Sequence, residues 1–94
     1  MSILEHEIEN TLVRKLAEDG HLCLKWISPG FAGVPDRIVL TKDGRILFVE
    51  CKAPMQKLRR SQPKVVALMR AMGHRAEVID TFAQVEQLIR ELKS

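Results

Sequence analysis

From Gly33 to Pro54 the chain reads GVPDRIVLTKDGRILFVECKAP, and this stretch decides the fold. Two apolar runs, Arg37 to Leu40 and Ile46 to Val49, flank Lys42, Asp43 and Gly44. Runs rich in β-branched residues on either side of an Asp-Gly pair predict a β-hairpin. Charges stand at the outer ends of both strands, where an apolar strand has no use for them. Asp36 opens the first strand; Glu50 and Lys52 close the second.

Loop length governs what those charges can do. With a two-residue loop at Asp43-Gly44, Asp36 pairs opposite Cys51 and its side chain points away from Glu50. With a three-residue loop, Lys42 to Gly44, Thr41 faces Arg45 and Asp36 faces Glu50. The longer loop requires a left-handed residue at its last position, and a glycine is there. Side-chain alternation then puts Asp36, Ile38, Leu40, Ile46, Phe48, Glu50 and Lys52 on one face. The apolar pattern alone fits either loop; the three-residue form is preferred because it gives the charges a joint purpose.

Carboxylates directly opposed across a ladder repel each other. A hard divalent cation with oxygen ligands removes that penalty, polarises a phosphoryl oxygen and acidifies a bound water. Lys52 reaches the same place and can orient an attacking water or stabilise charge building on a phosphorane. The alternative is a plain strand-end ion pair, Asp36 or Glu50 with Lys52 or Arg37. A lone Glu-x-Lys tripeptide is common enough to mean no more than that. Pro-Asp before one strand of a hairpin, with Glu-x-Lys ending the next, is much rarer and favours the catalytic reading.

Pro35-Asp36 with Glu50-Cys51-Lys52 resembles the signature of the PD-(D/E)XK nuclease superfamily. The wider set runs from Lys25 to Gly30, Gly33 to Ile38 and Val49 to Pro54, then Gln62. It resembles the VRR-NUC family within that superfamily, in particular its small stand-alone members from phages and bacteria. The resemblance spans nearly the whole chain. It implies a restriction-endonuclease-like core and a metal-dependent endonuclease that hydrolyses phosphodiester bonds in DNA. Branched or four-way-junction DNA would be the substrate, cut by a homodimer resembling Holliday-junction resolvases. By the same resemblance Asp36, Glu50 and a glutamate of the first helix would hold Mg²⁺ or Mn²⁺, with the Cys51 carbonyl as a further ligand. The distance to the glycine that ends the helix matches Glu9 best; Glu7 is the second choice, because the Glu-Ile-Glu pattern allows either alignment. Lys52 and Gln62 complete the implied catalytic set. Gln62 also has a plainer reading, as an exposed residue at a helix start. Two other functions fit the same residues. One is a nicking or flap-type structure-specific endonuclease, including one that needs a partner protein. The other is a DNA-binding module whose metal site is vestigial.

Composition sets the outer bounds. A length of 94 residues allows one domain. Chains of this size bury on the order of 60–65% of their surface and gain from a partner subunit. Aromatic residues are scarce, Trp26, Phe31, Phe48 and Phe82 with no tyrosine, which argues against a stacking platform for single strands. The net charge of +3 permits a phosphate-rich partner. Its distribution says more: Lys57, Arg59, Arg60 and Lys64 follow Lys52 closely, and their place beside the carboxylates suits backbone phosphates. Cys23 and Cys51 form neither a disulfide pattern nor a metal-ligand spacing, and alternation turns Cys51 to the face opposite Glu50 as a small buried hydrophobe. His6, His21 and His74 read as surface or terminal residues. No signal peptide or membrane-spanning run is present, so a cytoplasmic protein is expected, in the host cytoplasm if phage-encoded, with no membrane partner and no small-molecule cofactor.

The flanking segments complete the plan. Residues Ser2 to Asp19 predict a helix, capped by Ser2 with Glu5 and stopped by Gly20. Leu22 to Ile27 predicts a strand, with Lys25 able to face substrate. Ser28 to Gly33 is a Gly/Pro loop leading into Pro35-Asp36, where backbone N–H groups can approach phosphates. Ser61 is expected to cap a second helix, with Pro63 in its first turn and Gly73 at its end. Arg75 to Ile79 predicts a fourth strand, and Asp80 or Thr81 caps a last helix from Phe82 to Leu92. The whole is an α/β fold of order αβββαβα, a four-stranded mixed sheet flanked by helices.

Overall fold

The computed structural model describes residues 3–54 and 62–94, with the backbone alone at 62 and 63. Its elements are α1 (Glu5–Glu18), β1 (Leu22–Lys25), β2 (Arg37–Leu40), β3 (Ile46–Cys51), α2 (Gln62–Ala71), β4 (Arg75–Ile79) and α3 (Phe82–Leu92), in the expected order. The strands form one sheet in the order β1-β2-β3-β4. β1, β2 and β3 are antiparallel neighbours, and β4 runs parallel to β3. A parallel pair needs a crossover connection, and α2 is in that crossover.

The β2–β3 register is the one the three-residue loop demands. Arg37 pairs with Val49 and Leu40 with Ile46. The loop is closed by Thr41 N–H to Arg45 O at 2.8 Å and Gly44 N–H to Thr41 O at 3.0 Å. Gly44 takes φ +92°, a conformation that a side chain would resist. The Thr41 hydroxyl accepts from Arg45 N–H at 2.7 Å and donates to Asp43. Arg45 also reaches the carbonyl of Leu92 at 2.7 Å, tying the hairpin tip to the end of α3.

Alternation gives the sheet two apolar faces of unequal depth. On one, Val39, Leu47, Val49, Cys51 and Ile79 join Ile8, Leu12 and Leu16 of α1 and Val85, Leu88, Ile89 and Leu92 of α3 in the main core. On the other, Phe48 and Val78 pack with Trp26 and Ala76 beneath Val65, Val66 and Met69 of α2. The Trp26 and Phe48 rings lie 5.3 Å apart.

Three local expectations need correction. The first helix begins at Glu5 and not at Ser2, which lies outside the described residues. Leu4 holds the cap position, and the Glu7 carboxylate accepts from Leu4 N–H at 3.3 Å. β1 ends at Lys25, two residues early. Trp26 N–H still donates to Asp36 O at 2.8 Å, but Asp36 N–H turns to Glu50 Oε1 instead of answering Trp26, and the ladder stops there. His21 is buried and not a surface residue; its Nδ1 accepts from Lys42 N–H at 3.1 Å. The end of α1 explains why. Gly20 N–H bonds Ala17 O and His21 N–H bonds Leu16 O, both at 3.0 Å, a Schellman turn that folds His21 back under the hairpin loop. The expected Ser61 cap of α2 lies outside the described residues. At the other helix Thr81, rather than Asp80, is the cap, accepting from Gln84 N–H at 3.1 Å.

Hydrogen bonds from Arg45 and Thr41 hold the Asp43 carboxyl at about 2, below its ordinary 3.8. A carboxyl depressed in the folded state stabilises the fold above its unfolded value and stops doing so as pH falls through the folded one. Asp43→Asn is therefore expected to lower the melting temperature at neutral pH. The gap to wild type should close between pH 4 and about 2. Calorimetric scans of both proteins across that range check it; a gap that does not change with pH contradicts the assignment.

Candidate active site

The register brings Asp36 across from Glu50, one step beyond the Arg37–Val49 pair. Glu50 Oε1 accepts from Asp36 N–H, and Asp36 Oδ2 accepts from Cys51 N–H, each at 3.1 Å. The two carboxylates thus interlock across the strands. Glu50 is 0% exposed, an extreme position for an ionised side chain. Its charge is met by Lys52, whose Nζ lies 3.1 Å from Glu50 Oε2. Lys52 stands just past the last residue of β3, and its N–H is fixed by Ile79 O of β4 at 2.8 Å.

The other side of the ammonium is occupied by a residue that the sequence assigns to the helix cap. Glu5 Oε1, on the first turn of α1, lies 3.5 Å from Lys52 Nζ. Glu9 is differently employed. Its carboxylate forms a largely buried ion pair with Arg37 at 2.7 Å, linking α1 to β2. Glu7, the second choice for a helix ligand, is spent on the helix start. The strand-end ion pair considered as an alternative is therefore present as Glu50–Lys52, while Arg37 turns to the helix. A signal for Glu5 existed: it lies one turn before Glu9 on the same flank of the helix, and helix starts collect acids for their own reasons.

Cys51 is fully buried. Burial pushes its thiol up, and the negative charges of Glu9, Asp36 and Glu50 add to the shift. Burial likewise raises the Cys23 thiol to about 11. Neither cysteine is a nucleophile at neutral pH.

Among the described residues, no three His, Cys, Asp or Glu side chains are gathered as a group that could hold a metal ion. The chemistry of the donor set nevertheless suits one. Asp36 and Glu50 are hard oxygen donors on adjacent strands, and buried Glu50 is already balanced by a cation. Of the other residues expected here, Lys25 is exposed and paired with Arg37, so alternation sets it on the face opposite Asp36. The Ser28 carbonyl accepts from Phe31 N–H at 3.3 Å in the loop before Pro35. Lys64 is exposed on the first turn of α2. Gln62 opens α2; its side chain, and Lys57, Arg59 and Arg60, lie outside the described residues.

No family model matches the chain. A phage protein does: the "Putative nuclease p44" of Acyrthosiphon pisum secondary endosymbiont phage 1 is 43% identical over 79 residues, which is 84% of this chain and 85% of that protein. A solved structure of a VRR_NUC domain superposes with a TM-score of 0.84 at 29% identity, covering 92% of this chain and 94% of the other. The chain belongs to the VRR-NUC family. The order of elements and the four-stranded mixed sheet match the VRR-NUC fold. Among the described residues no helix is long and apolar enough to cross a membrane.

Removing one member of a buried ion pair leaves the other charge in a poor solvent, at a cost of about 3–5 kcal/mol. Lys52→Ala is expected to lose stability of that order in urea unfolding. Glu50→Gln added to Lys52→Ala should recover part of it, because the stranded charge is gone. Additive losses in the double variant would show that the two side chains do not interact.

Proposed function

We propose that this VRR-NUC protein is a metal-dependent endonuclease that hydrolyses phosphodiester bonds in DNA, with branched or four-way junctions as substrate and two copies acting together. The observation that supports this reading best is the interlocked Asp36–Glu50 pair with Lys52 beside it. The phage relative's name adds the activity class. Asp36, Glu50 and the Cys51 carbonyl would hold Mg²⁺ or Mn²⁺, and Glu9 would join them on leaving Arg37. The ion would supply Lewis acidity toward a phosphoryl oxygen and toward water.

The chain's own residues do the rest. Glu50 and Glu5 set the Lys52 ammonium at the end of β3. From there it orients the attacking water and stabilises the negative charge of the pentacovalent phosphorus. Water oxygen forms one P–O bond, another P–O bond breaks, and the leaving oxygen takes up a proton. Gln62, at the start of α2, assists in positioning. Lys25, Ser28, Lys57, Arg59, Arg60 and Lys64 contact backbone phosphates, which fix register without reading sequence. A phage-encoded protein of this kind works in the host cytoplasm, where its DNA substrate is.

Labelled four-way junction, flap, single-stranded and linear duplex DNA, each incubated with Mg²⁺ or Mn²⁺, test the proposal. Cutting of the junction is expected, abolished by chelation and reduced at least about 100-fold by Lys52→Ala, the size of a lost charge stabiliser. Circular dichroism of the variant separates lost chemistry from lost fold. Cutting of the flap alone would move the assignment to a flap-type or nicking enzyme. Binding with no cutting of any substrate would leave a DNA-binding module.

A further inference from the structure

The loop that runs from β1 into the candidate site carries no charge. Residues 26–35 read WISPGFAGVP, and the next residue is Asp36. Both ends of the loop are fixed. Trp26 N–H donates to Asp36 O at 2.8 Å, and the Trp26 ring packs on Phe48. Pro35 is fully buried. Between these anchors the chain turns twice. Ser28 to Phe31 is a type II turn, with Pro29 second and a left-handed Gly30 third at φ +81°. Phe31 N–H closes it on Ser28 O at 3.3 Å. A second turn follows at Ala32 and Gly33, with Gly33 at φ +94°.

The loop holds two apolar side chains out in water. Ile27 is 74% exposed and Phe31 56%. Among the described residues, a Cβ on Gly30 would meet nothing within 4 Å, so the turn projects from the body. Single apolar side chains on a surface are ordinary. These two share one charge-free loop whose root is hydrogen-bonded to the Asp36 backbone. With no cation, the loop has no side-chain charge for a phosphate, so its side chains suit bases more than backbone. The large apolar surfaces of DNA are the base faces, and stacking covers them in a continuous duplex. They open where stacking breaks, as at a branch. Five residues lead from Phe31 to Asp36, at most ~17 Å of chain. A strand advances about 3.4 Å per nucleotide, so the ring meets bases within about five nucleotides of a phosphate at the carboxylates.

We infer that Phe31 is a stacking wedge that selects branched over continuous DNA. Its ring inserts at a break in the helix and covers the base face exposed there, with Ile27 as a second apolar contact. Apolar side chains inserted between base steps are an established way to hold DNA unstacked. The two turns fix the backbone beside the ring, so little further ordering is needed on binding. One ring is not the row of rings that a single-strand platform requires; it suits one base face at one break. The inference deepens the branched-DNA part of the proposed function and rests on DNA binding, not on cutting.

Affinities of wild type and Phe31→Ala for a four-way junction and for linear duplex, measured in Ca²⁺ by binding alone, test it. Phe31→Ala should lose about 5- to 150-fold in junction affinity and keep its affinity for linear duplex. Phe31→Trp should retain the preference. 2-Aminopurine beside the branch should brighten with wild type, as the ring replaces its stacked neighbour, and stay dim with Phe31→Ala. Circular dichroism and sedimenting mass of Phe31→Ala should match wild type, because the ring is exposed. Wild type with no preference for the junction overturns the inference. So does an equal loss on both DNAs, or a changed mass, which would place the ring between chains. Phe31→Ala that binds and cuts the junction like wild type would sink the wedge and leave the nuclease. Wild type that prefers the junction through Phe31 but cuts nothing in Mg²⁺ or Mn²⁺ would sink the nuclease and leave the wedge.

Discussion

Everything chemical in this protein depends on the parity of one hairpin loop. Lys42, Asp43 and Gly44 make an odd count, and the odd count sets Asp36 and Glu50 face to face. An even count with regular pairing would send one of them through the sheet to the α1 side. The parity is enforced locally by the left-handed Gly44 and by the double use of the Thr41 hydroxyl. Arg45 extends the same control to the end of α3 through the Leu92 carbonyl.

Around that constraint the molecule puts its charges where packing would rather have none. Glu50 has no solvent access; Lys52 compensates its charge, and Glu5 of α1 holds the other side of that ammonium. Glu9 and Arg37 form a second pair that ties α1 to β2 alongside. A buried pair of this kind contributes little net stability compared with apolar packing. Its cost is carried by the deep core between α1, α3 and the sheet, where Ile8, Leu12, Leu16, Val39, Val49 and Val85 are all fully buried.

Much of this was legible in the residues. The order of elements followed from hydrophobic period, and the interlocked carboxylates from loop chemistry and alternation. The failures have physical causes. Ser2 is a better cap than Leu4 by type, yet the helix starts where Glu7 can reach back to Leu4 N–H. The length of β1 was set by its partner strand, where Asp36 N–H goes to the Glu50 carboxylate and not back to β1. The burial of His21 came from a helix-terminating turn that aims the chain under a loop it has not yet made. Glu9 and Glu5 differ by one helical turn, and only tertiary packing could decide that Glu9 meets Arg37 and Glu5 meets Lys52.

The hairpin also orders the assembly of the molecule in time. Asp36 and Glu50 are only 14 residues apart in sequence, whereas β4 reaches β3 through a long crossover. Hairpins close in about 1–10 μs, and short loops lose little entropy in closing. Parallel pairing across a crossover is slower. The carboxylate pair can therefore meet before β4 arrives to pin Lys52 and before α3 seals the core. Its mutual repulsion is then borne by a chain still open to water, in a solvent that screens it, and the low-dielectric interior closes over a pair already in register.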